Sequence, residues 1–301
     1  MNILVATEKP FAAEAVEGIR KEVEQGGHTL VLLEKYTDKQ QLLNAVAAAD
    51  ALIVRSDKVD ADVIEAGKNL KIVVRAGAGY DNIDLVAATN KGIIVENTPG
   101  QNSNAVAELV FGMLIKAARN GFNGSTGREL RGKRLGTHAF GQVARQVARI
   151  AKGFEMTVGA LSSRNVSEEG VIQISDIDEL YSNYDIVSLH IPAKPNTIGL
   201  IGYDLVSKMP KGGILVNTAR KEVIDEAGLM KALEERPDLT YLSDLRPSNA
   251  DEWIEKFANR VYFTPKKLGA QTAEANINAG IAAACQIVSY FANGDETFRV
   301  N

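Results

Sequence analysis

Residues 134–152 read RLGTHAFGQVARQVARIAK, and the fold turns on how this stretch is understood. Leu135 to His138 has strand character, residues 139–144 form a tight turn of small residues, and 141–151 carries a helical period. Strand, small-residue turn and helix, in that order, make the unit that seats a dinucleotide pyrophosphate on a helix N-terminus. Of the three glycines in the GxGxxG pattern only the middle one, Gly141, is present, with Ala139 and Ala144 in the outer places. The middle glycine matters most, because a Cβ there would keep the backbone from approaching the phosphates. Alanine at the third place loosens helix–strand packing, and alanine at the first asks for an unstrained φ. An ordinary strand–helix joint is the alternative, and the motif alone leaves it open.

Outward from this unit, short apolar and β-branched runs alternate with longer segments of helical period. Strands are expected at 3–7, 29–33, 51–55, 72–75 and 93–96, then at 134–138, 157–161, 186–191, 214–217, 241–244 and 261–264. Amphipathic segments such as 11–25 and 39–48 lie among them. Continuous apolar strands alternating with helices imply parallel sheets covered on both faces. The pattern occurs twice, so the expected fold is α/β with two doubly wound, Rossmann-like domains. Long helices are expected at 103–120, stopped by Gly121, and at 272–293. They suit a discontinuous arrangement in which the last helix returns to the first domain. Two sequential domains divided near Ser125, Thr126 and Gly127 fit the periodicity equally well.

The 301 residues are 45% hydrophobic and 24% charged, as in a soluble globular protein. A net charge of −4 argues against nucleic acid as a partner, because phosphate backbones want a basic face. No apolar run reaches the ~18 residues of a membrane helix, so no membrane role is expected. The single cysteine, Cys285, excludes an internal disulfide and suits a reducing cytoplasm. The chain enters a strand directly after Met1, so no signal peptide is expected. No metal site is indicated.

Strand 157–161 should end in an acid that accepts hydrogen bonds from the ribose hydroxyls, but Ser162, Ser163 and Arg164 follow it instead. Two hydroxyls and a guanidinium suit a 2′-phosphate, which favours NADP over NAD. A solvated turn is the competing reading. Four further runs lie where parallel strands are expected to end, which is where open α/β sheets place ligands. Arg75, Ala76, Gly77, Ala78 and Gly79 form a glycine-rich turn able to offer backbone N–H groups to a carboxylate. Residues 97–108 read NTPGQNSNAVAE, 217–220 read NTAR, and 264–270 read TPKKLGA.

Together these runs resemble the D-isomer-specific 2-hydroxyacid dehydrogenases, and within them the D-3-phosphoglycerate dehydrogenases. The resemblance covers nearly the whole chain in the correct order. It implies a cofactor domain at 101–272 inserted into a substrate domain made of 1–100 and 273–301. It implies that Arg220 binds the substrate carboxylate, that Asp244 faces the nicotinamide amide, and that Arg55 and Arg75 hold the phosphate of 3-phosphoglycerate. Ser56 and Asn102 join the substrate residues. Phe140, Gly141, Gln142, Val143, Ser162, Ser163, Arg164, His190, Thr218 and Ala219 join the cofactor residues, and a homodimer is implied as well. Longer members carry C-terminal regulatory domains, and with Asn301 just beyond the last helix none is expected here.

Most of the family has a catalytic histidine in a Thr-Pro-His run, paired with a glutamate. Here Pro265 precedes Lys266 and Lys267, and Asn249 stands at the glutamate position. This departure is similar to a subgroup of phosphoglycerate dehydrogenases in which a lysine moves the proton, which selects Lys267. An exposed lysine with pKa ~10.4 is a poor base at neutral pH; burial and nearby cations such as Lys266 and Arg220 would lower that value. The expected reaction is hydride exchange between 3-phosphoglycerate and NAD(P), giving 3-phosphohydroxypyruvate. An NADPH-dependent glyoxylate or hydroxypyruvate reductase, and a corepressor-like binding protein on the same scaffold, are the alternatives.

Overall fold

A computed structural model describes all 301 residues, which divide into two compact units, Met1–Asn102 with Gln271–Asn301, and Ser103–Ala270. In the first unit β1 (Asn2–Thr7), β2 (Thr29–Glu34), β3 (Ala51–Val54), β4 (Ile72–Arg75) and β5 (Ile94–Asn97) form a parallel sheet in the order 2-1-3-4-5. Successive strand residues point to opposite faces. Ile3, Val5, Ile53 and Val74 therefore pack with Ile19 and Val23 of helix Ala13–Gln25 and with Ala283 and Ile287 of helix Ala273–Asn293. Leu4, Leu52 and Val73 pack on the other side with Leu42, Val46, Val63 and Ile64. Beside β5 the end of the chain adds an antiparallel bridge, Glu96 to Arg299, with Val300 N–H donating to Val95 O at 2.9 Å. That contact covers an otherwise open sheet edge.

In the second unit β6 (Arg134–His138), β7 (Thr157–Leu161), β8 (Val171–Ile174), β9 (Ile186–Leu189), β10 (Ile214–Asn217), β11 (Thr240–Ser243) and β12 (Val261–Phe263) are all parallel. Their order, 12-11-10-9-6-7-8, reverses direction between β6 and β9, which makes the Rossmann switch point. One face is covered by helices Ser103–Ala118 and Gln142–Gly153, through Val110, Met113, Leu114 and Val147 against Leu135, Val158 and Val216. The other holds Leu180, Tyr181, Leu233, Trp253 and Phe263. Gly159 lies under Tyr184, whose hydroxyl would sit 2.1 Å from an added Cβ, so β7 needs a glycine there.

Most strands differ from the sequence expectation by one or two residues at an end, and three differences are larger or bear on the site. Strand β8 was absent from it, since this edge strand is mostly solvent-facing, with Ile172 53% exposed. The helix expected at 103–120 ends at Ala118, where the backbone breaks into a 3-10 turn with Gly121 at φ 66°. The turn helix starts at Gln142, with Gly141 as its N-cap. No helix is long and apolar enough to cross a membrane.

Candidate active site

In the second unit the expected residues fall along the carboxyl edge of one sheet. From β12 across to β7, the strand ends carry in turn Lys267, Asp244, Arg220, His190, Gly141 and Ser162. At about 4.8 Å per strand this row spans about 24 Å.

The glycine-poor turn keeps its tight shape at a cost. Ala139 adopts φ 77°, so the unstrained φ expected for an alanine at the first glycine place is not what the fold imposes. Sterics between Cβ and the following carbonyl disfavour that region by about 1–2 kcal/mol. At Gly141 the backbone is extended, and a Cβ would meet nothing within 4 Å, so open space lies over this point. The helix beginning at Gln142 has no side-chain cap, which leaves its first N–H groups for a ligand. Ala144 is fully buried, its methyl accommodated in the helix–sheet packing. Phe140 lies under the Arg145 guanidinium, 4.9 Å from the ring centroid, and Arg145 pairs with Glu168 at 2.6 Å. Val143 packs into the core and Gln142 is exposed.

Beyond β7, Ser162 Oγ accepts the Arg164 N–H at 3.1 Å, while Ser163 and Arg164 are exposed. His190 N–H donates to His138 O at 3.0 Å, and His138 Nδ1 lies 3.2 Å from Tyr181 Oη. Burial pushes His138 down to about 4. Burial and the neighbouring His138 push His190 to about 3, so both rings are neutral near pH 7. His190 Nε2 and Thr218 Oγ1 are buried polar atoms without a partner. Such atoms are costly unless something binds them. Two orphaned groups, open space over Gly141 and an uncapped helix together fit a dinucleotide. Ser162, Thr218 and His190 would line it, with the pyrophosphate over Gly141.

Nearer β12, Asn217 fixes the loop carrying Arg220. Its Oδ1 accepts Ala219 N–H at 3.0 Å and its Nδ2 donates to Arg220 O at 3.0 Å. The Arg220 side chain is exposed, with Nη1 donating to Ala219 O at 2.9 Å. Asp244 is 1% exposed, and its carboxylate accepts from Thr264 Oγ1, Leu268 N–H and Gly269 N–H at 2.7–2.8 Å. Lys266 and Lys267 are both exposed, so the burial expected to lower the lysine pKa is not supplied by the loop itself. Asn249 is committed to structure: its Oδ1 accepts Trp253 Nε1–H at 3.1 Å and its Nδ2 donates to Glu252 at 3.0 Å. No group of three or more His, Cys, Asp or Glu side chains could hold a metal ion. A cavity of about 810 Å³ opens at the amino ends of the strands, among Met113, Lys116, Leu130 and Tyr262, and no expected site residue lines it.

In the first unit the expected anion site also lies at the carboxyl ends of strands. Arg55 follows β3 and Arg75 ends β4, with Val54 and Arg75 in register. Arg55 stacks over Phe11, 5.0 Å from its centroid. It donates to Lys9 O and Pro10 O at 3.3 Å and to Asn276 Oδ1 at 2.6 Å. Arg75 Nε donates to Arg55 O at 2.9 Å. Burial lowers both guanidinium pKa values, and the charge of Arg55 lowers Arg75 further. Both stay charged at neutral pH, which makes the pair attractive to a dianion. Gly77, at φ 146°, lies under Arg75: a Cβ would fall 1.5 Å from Nη1. Asn97 Nδ2 donates to Ala78 O at 2.6 Å and Thr98 N–H to Gly77 O at 3.0 Å, holding the turn formed by Ala76, Gly77, Ala78 and Gly79. Ser56 is exposed and Asn102 is half-buried.

Sequence reading missed the supports. Asp57 accepts from Glu8 N–H at 2.7 Å, Tyr36 Oη at 3.0 Å and Arg55 N–H at 3.2 Å. Asn276 lies 221 positions from Arg55, and no local pattern signals it. An aspartate two residues after a strand-end arginine was a legible hint for Asp57 alone.

Residues 4–301 match the family described as D-isomer specific 2-hydroxyacid dehydrogenase, catalytic domain. A D-3-phosphoglycerate dehydrogenase of Archaeoglobus fulgidus is 36% identical over 96% of this chain and 57% of its own length. A hydroxypyruvate reductase of Thermotoga maritima is 36% identical over 84% of this chain and 88% of its own. Among solved structures, the NAD+-bound 3-phosphoglycerate dehydrogenase of Entamoeba histolytica is 48% identical. It superposes with a TM-score of 0.86 over 100% of this chain and 98% of that one. The chain thus spans little more than half of the Archaeoglobus relative.

Proposed function

The chain belongs to the D-isomer specific 2-hydroxyacid dehydrogenase family, and from that premise we propose that it interconverts 3-phosphoglycerate and 3-phosphohydroxypyruvate with a nicotinamide dinucleotide. The observation that carries the substrate is the pair Arg55 and Arg75, two charged guanidinium groups on adjacent strand ends of the first unit. An unphosphorylated hydroxy acid brings only its carboxylate, which this reading gives to Arg220, and leaves the pair without a second anion.

Arg220 pairs with the substrate carboxylate, and the backbone of Ala76, Gly77, Ala78 and Gly79 offers further N–H groups to it. Arg75, with Arg55 behind it, holds the phosphate; Ser56 and Asn102 belong to the same substrate set. Lys267 takes the proton from the C2 hydroxyl in oxidation and returns it to the carbonyl oxygen in reduction. Its desolvation comes with occupancy of the site, because the loop alone leaves it exposed. The nicotinamide, when bound, accepts or supplies the hydride at C2. Gly141 and the N-terminus of the helix Gln142–Gly153 seat the pyrophosphate. Phe140, Gln142, Val143, His190, Thr218 and Ala219 complete that cleft in the second unit, with Asp244 at its nicotinamide end.

For the cofactor we favour NADP over NAD, on the absence of a carboxylate after β7 and the presence of Ser162, Ser163 and Arg164. Unit Ser103–Ala270 is accordingly the cofactor domain and the other the substrate domain. We also propose a homodimer, which light scattering of the purified protein would test.

Rates with 3-phosphohydroxypyruvate, hydroxypyruvate and glyoxylate, each with NADH and NADPH, test the proposal. Highest kcat/KM on the phosphorylated acid supports it; equal rates on all three favour a general hydroxypyruvate or glyoxylate reductase. Lys267→Met should abolish turnover while cofactor titration is unaffected. Unchanged turnover removes the lysine from the mechanism.

A further inference from the structure

We infer that Asp244 is a positioning residue for Lys267, acting by pinning the loop that carries it. This rests on the reading of Lys267 as the proton-transfer residue and deepens it. The carboxylate stands at the end of β11 and is 1% exposed. Its Oδ1 accepts Thr264 Oγ1 at 2.8 Å and Leu268 N–H at 2.7 Å, and its Oδ2 accepts Gly269 N–H at 2.8 Å. The pinned positions bracket residues 265–267, which are exposed. One carboxylate therefore holds both ends of this short loop.

Lys267 directly precedes Leu268, whose N–H is held at the shortest of the three distances. Its Cα is thus placed by the bond from Leu268 N–H to Asp244. Hydrogen bonds to an ionised carboxylate are about twice as strong as neutral ones, which suits a tether. Gly269 fits the same device. A Cβ there would stand 3.0 Å from Asp244 Oδ2 and 3.2 Å from Val106 Cγ2, so a side chain would crowd both.

The neighbouring strand carries an anchor of its own. Asn217 ends β10 and holds the loop of Arg220 through both atoms of its amide. Asp244 N–H donates to Asn217 O at 3.0 Å, which links the two anchors. The Arg220 loop is held by the amide that ends its own strand, and the Lys267 loop by the carboxylate that follows the adjacent strand β11. A carboxylate is the right group at 244 because all three partners donate; an asparagine would turn an NH2 toward one of them.

The test uses the full chain and four variants: Asp244→Asn, Thr264→Val, Lys267→Met and the Asp244→Asn/Lys267→Met double. Amide exchange at Leu268 and Gly269 should accelerate at least about tenfold in Asp244→Asn. At saturating cofactor kcat should fall about 100-fold, as for a misplaced catalytic group, whatever the change in NADH and NADPH affinity. The double variant should be no slower than Lys267→Met alone, because the aspartate acts through the lysine. Thr264→Val, which leaves the carboxylate in place, should move exchange and kcat the same way by a smaller factor; it serves if Asp244→Asn does not fold. Unchanged exchange at both amides overturns the inference, as does a loss confined to cofactor affinity or an additive double variant. Full turnover in Lys267→Met would sink the proton-transfer reading and with it the role assigned here. Faster exchange in Asp244→Asn would then mark the tether as structural only.

Discussion

Glu96 shows how a single burial sets a pH dependence. It ends up 1% exposed beside the C-terminal segment, with neither carboxylate oxygen in a full hydrogen bond. Burial first, and then the charges of Asp295 and Glu296, raise it to about 7; the nearby Phe298 N–H offsets this only in part. A carboxyl pKa raised in the folded state favours the protonated form. Its contribution is fully present below the unfolded value of about 4.5 and is lost as pH climbs through about 7. The loss amounts to about 3 kcal/mol at pH 8. Glu96→Gln should remove this fall, so denaturant midpoints of the two proteins should diverge between pH 5 and 8 with the variant more stable at the alkaline end. Parallel curves would show that the carboxyl is not buried as described. Gly77 makes a steric prediction. Gly77→Ala places a methyl where Arg75 Nη1 lies, and forces φ 146° on a residue with a Cβ. KM for a phosphorylated substrate should rise about 10–100-fold, the worth of a charge-assisted contact, while cofactor affinity stays put.

At the scale of elements, the glycine-poor turn is the point where sequence and structure diverge most instructively. The strand–turn–helix order was legible from Leu135, Gly141 and the helical period after it. What single-residue reading could not supply was that Ala139 would be held at φ 77°, because the turn is imposed by packing on both sides of it. Ala139→Gly should leave stability within about 1 kcal/mol, strain relief being offset by unfolded-chain entropy. Ala139→Val should cost about 2 kcal/mol and weaken cofactor binding, since a β-branched residue tolerates that backbone poorly. Calorimetry with and without NAD(P)H separates the two. Helix Ala273–Asn293 was legible for a simpler reason, the regular return of small and apolar residues such as Ala279, Ala284 and Ile287; the structure moves Thr272, expected inside the helix, to its N-cap, where Thr272 Oγ1 accepts Ala275 N–H at 3.1 Å. Thr272→Ala should cost about 1 kcal/mol, and no change in unfolding midpoint would contradict that cap. Strand β8 stayed hidden because a short, exposed edge strand carries neither a continuous apolar run nor a long alternation. The supports Asp57 and Asn276 stayed hidden because their partners come from distant segments.

For the molecule as a whole, each unit presents its own set of candidate groups at the carboxyl ends of its strands. The first presents paired guanidinium groups and a glycine turn at the ends of β3 and β4. The second presents a row running from Lys267 to Ser162 along one sheet edge, with unsatisfied groups at His190 and Thr218. The motif at 139–144, from which the fold was read, therefore carries less of the functional argument than the strand-end loops do. Phosphate selectivity is the claim that ties residue, element and fold together. Its most direct test is the ratio of kcat/KM for 3-phosphohydroxypyruvate to that for hydroxypyruvate, measured in the parent and in Arg75→Ala. The account predicts a strong preference for the phosphorylated acid in the parent, cut about 10–100-fold by the substitution with hydroxypyruvate rates little changed. A parent indifferent to the phosphate, and to the loss of Arg75, would contradict it.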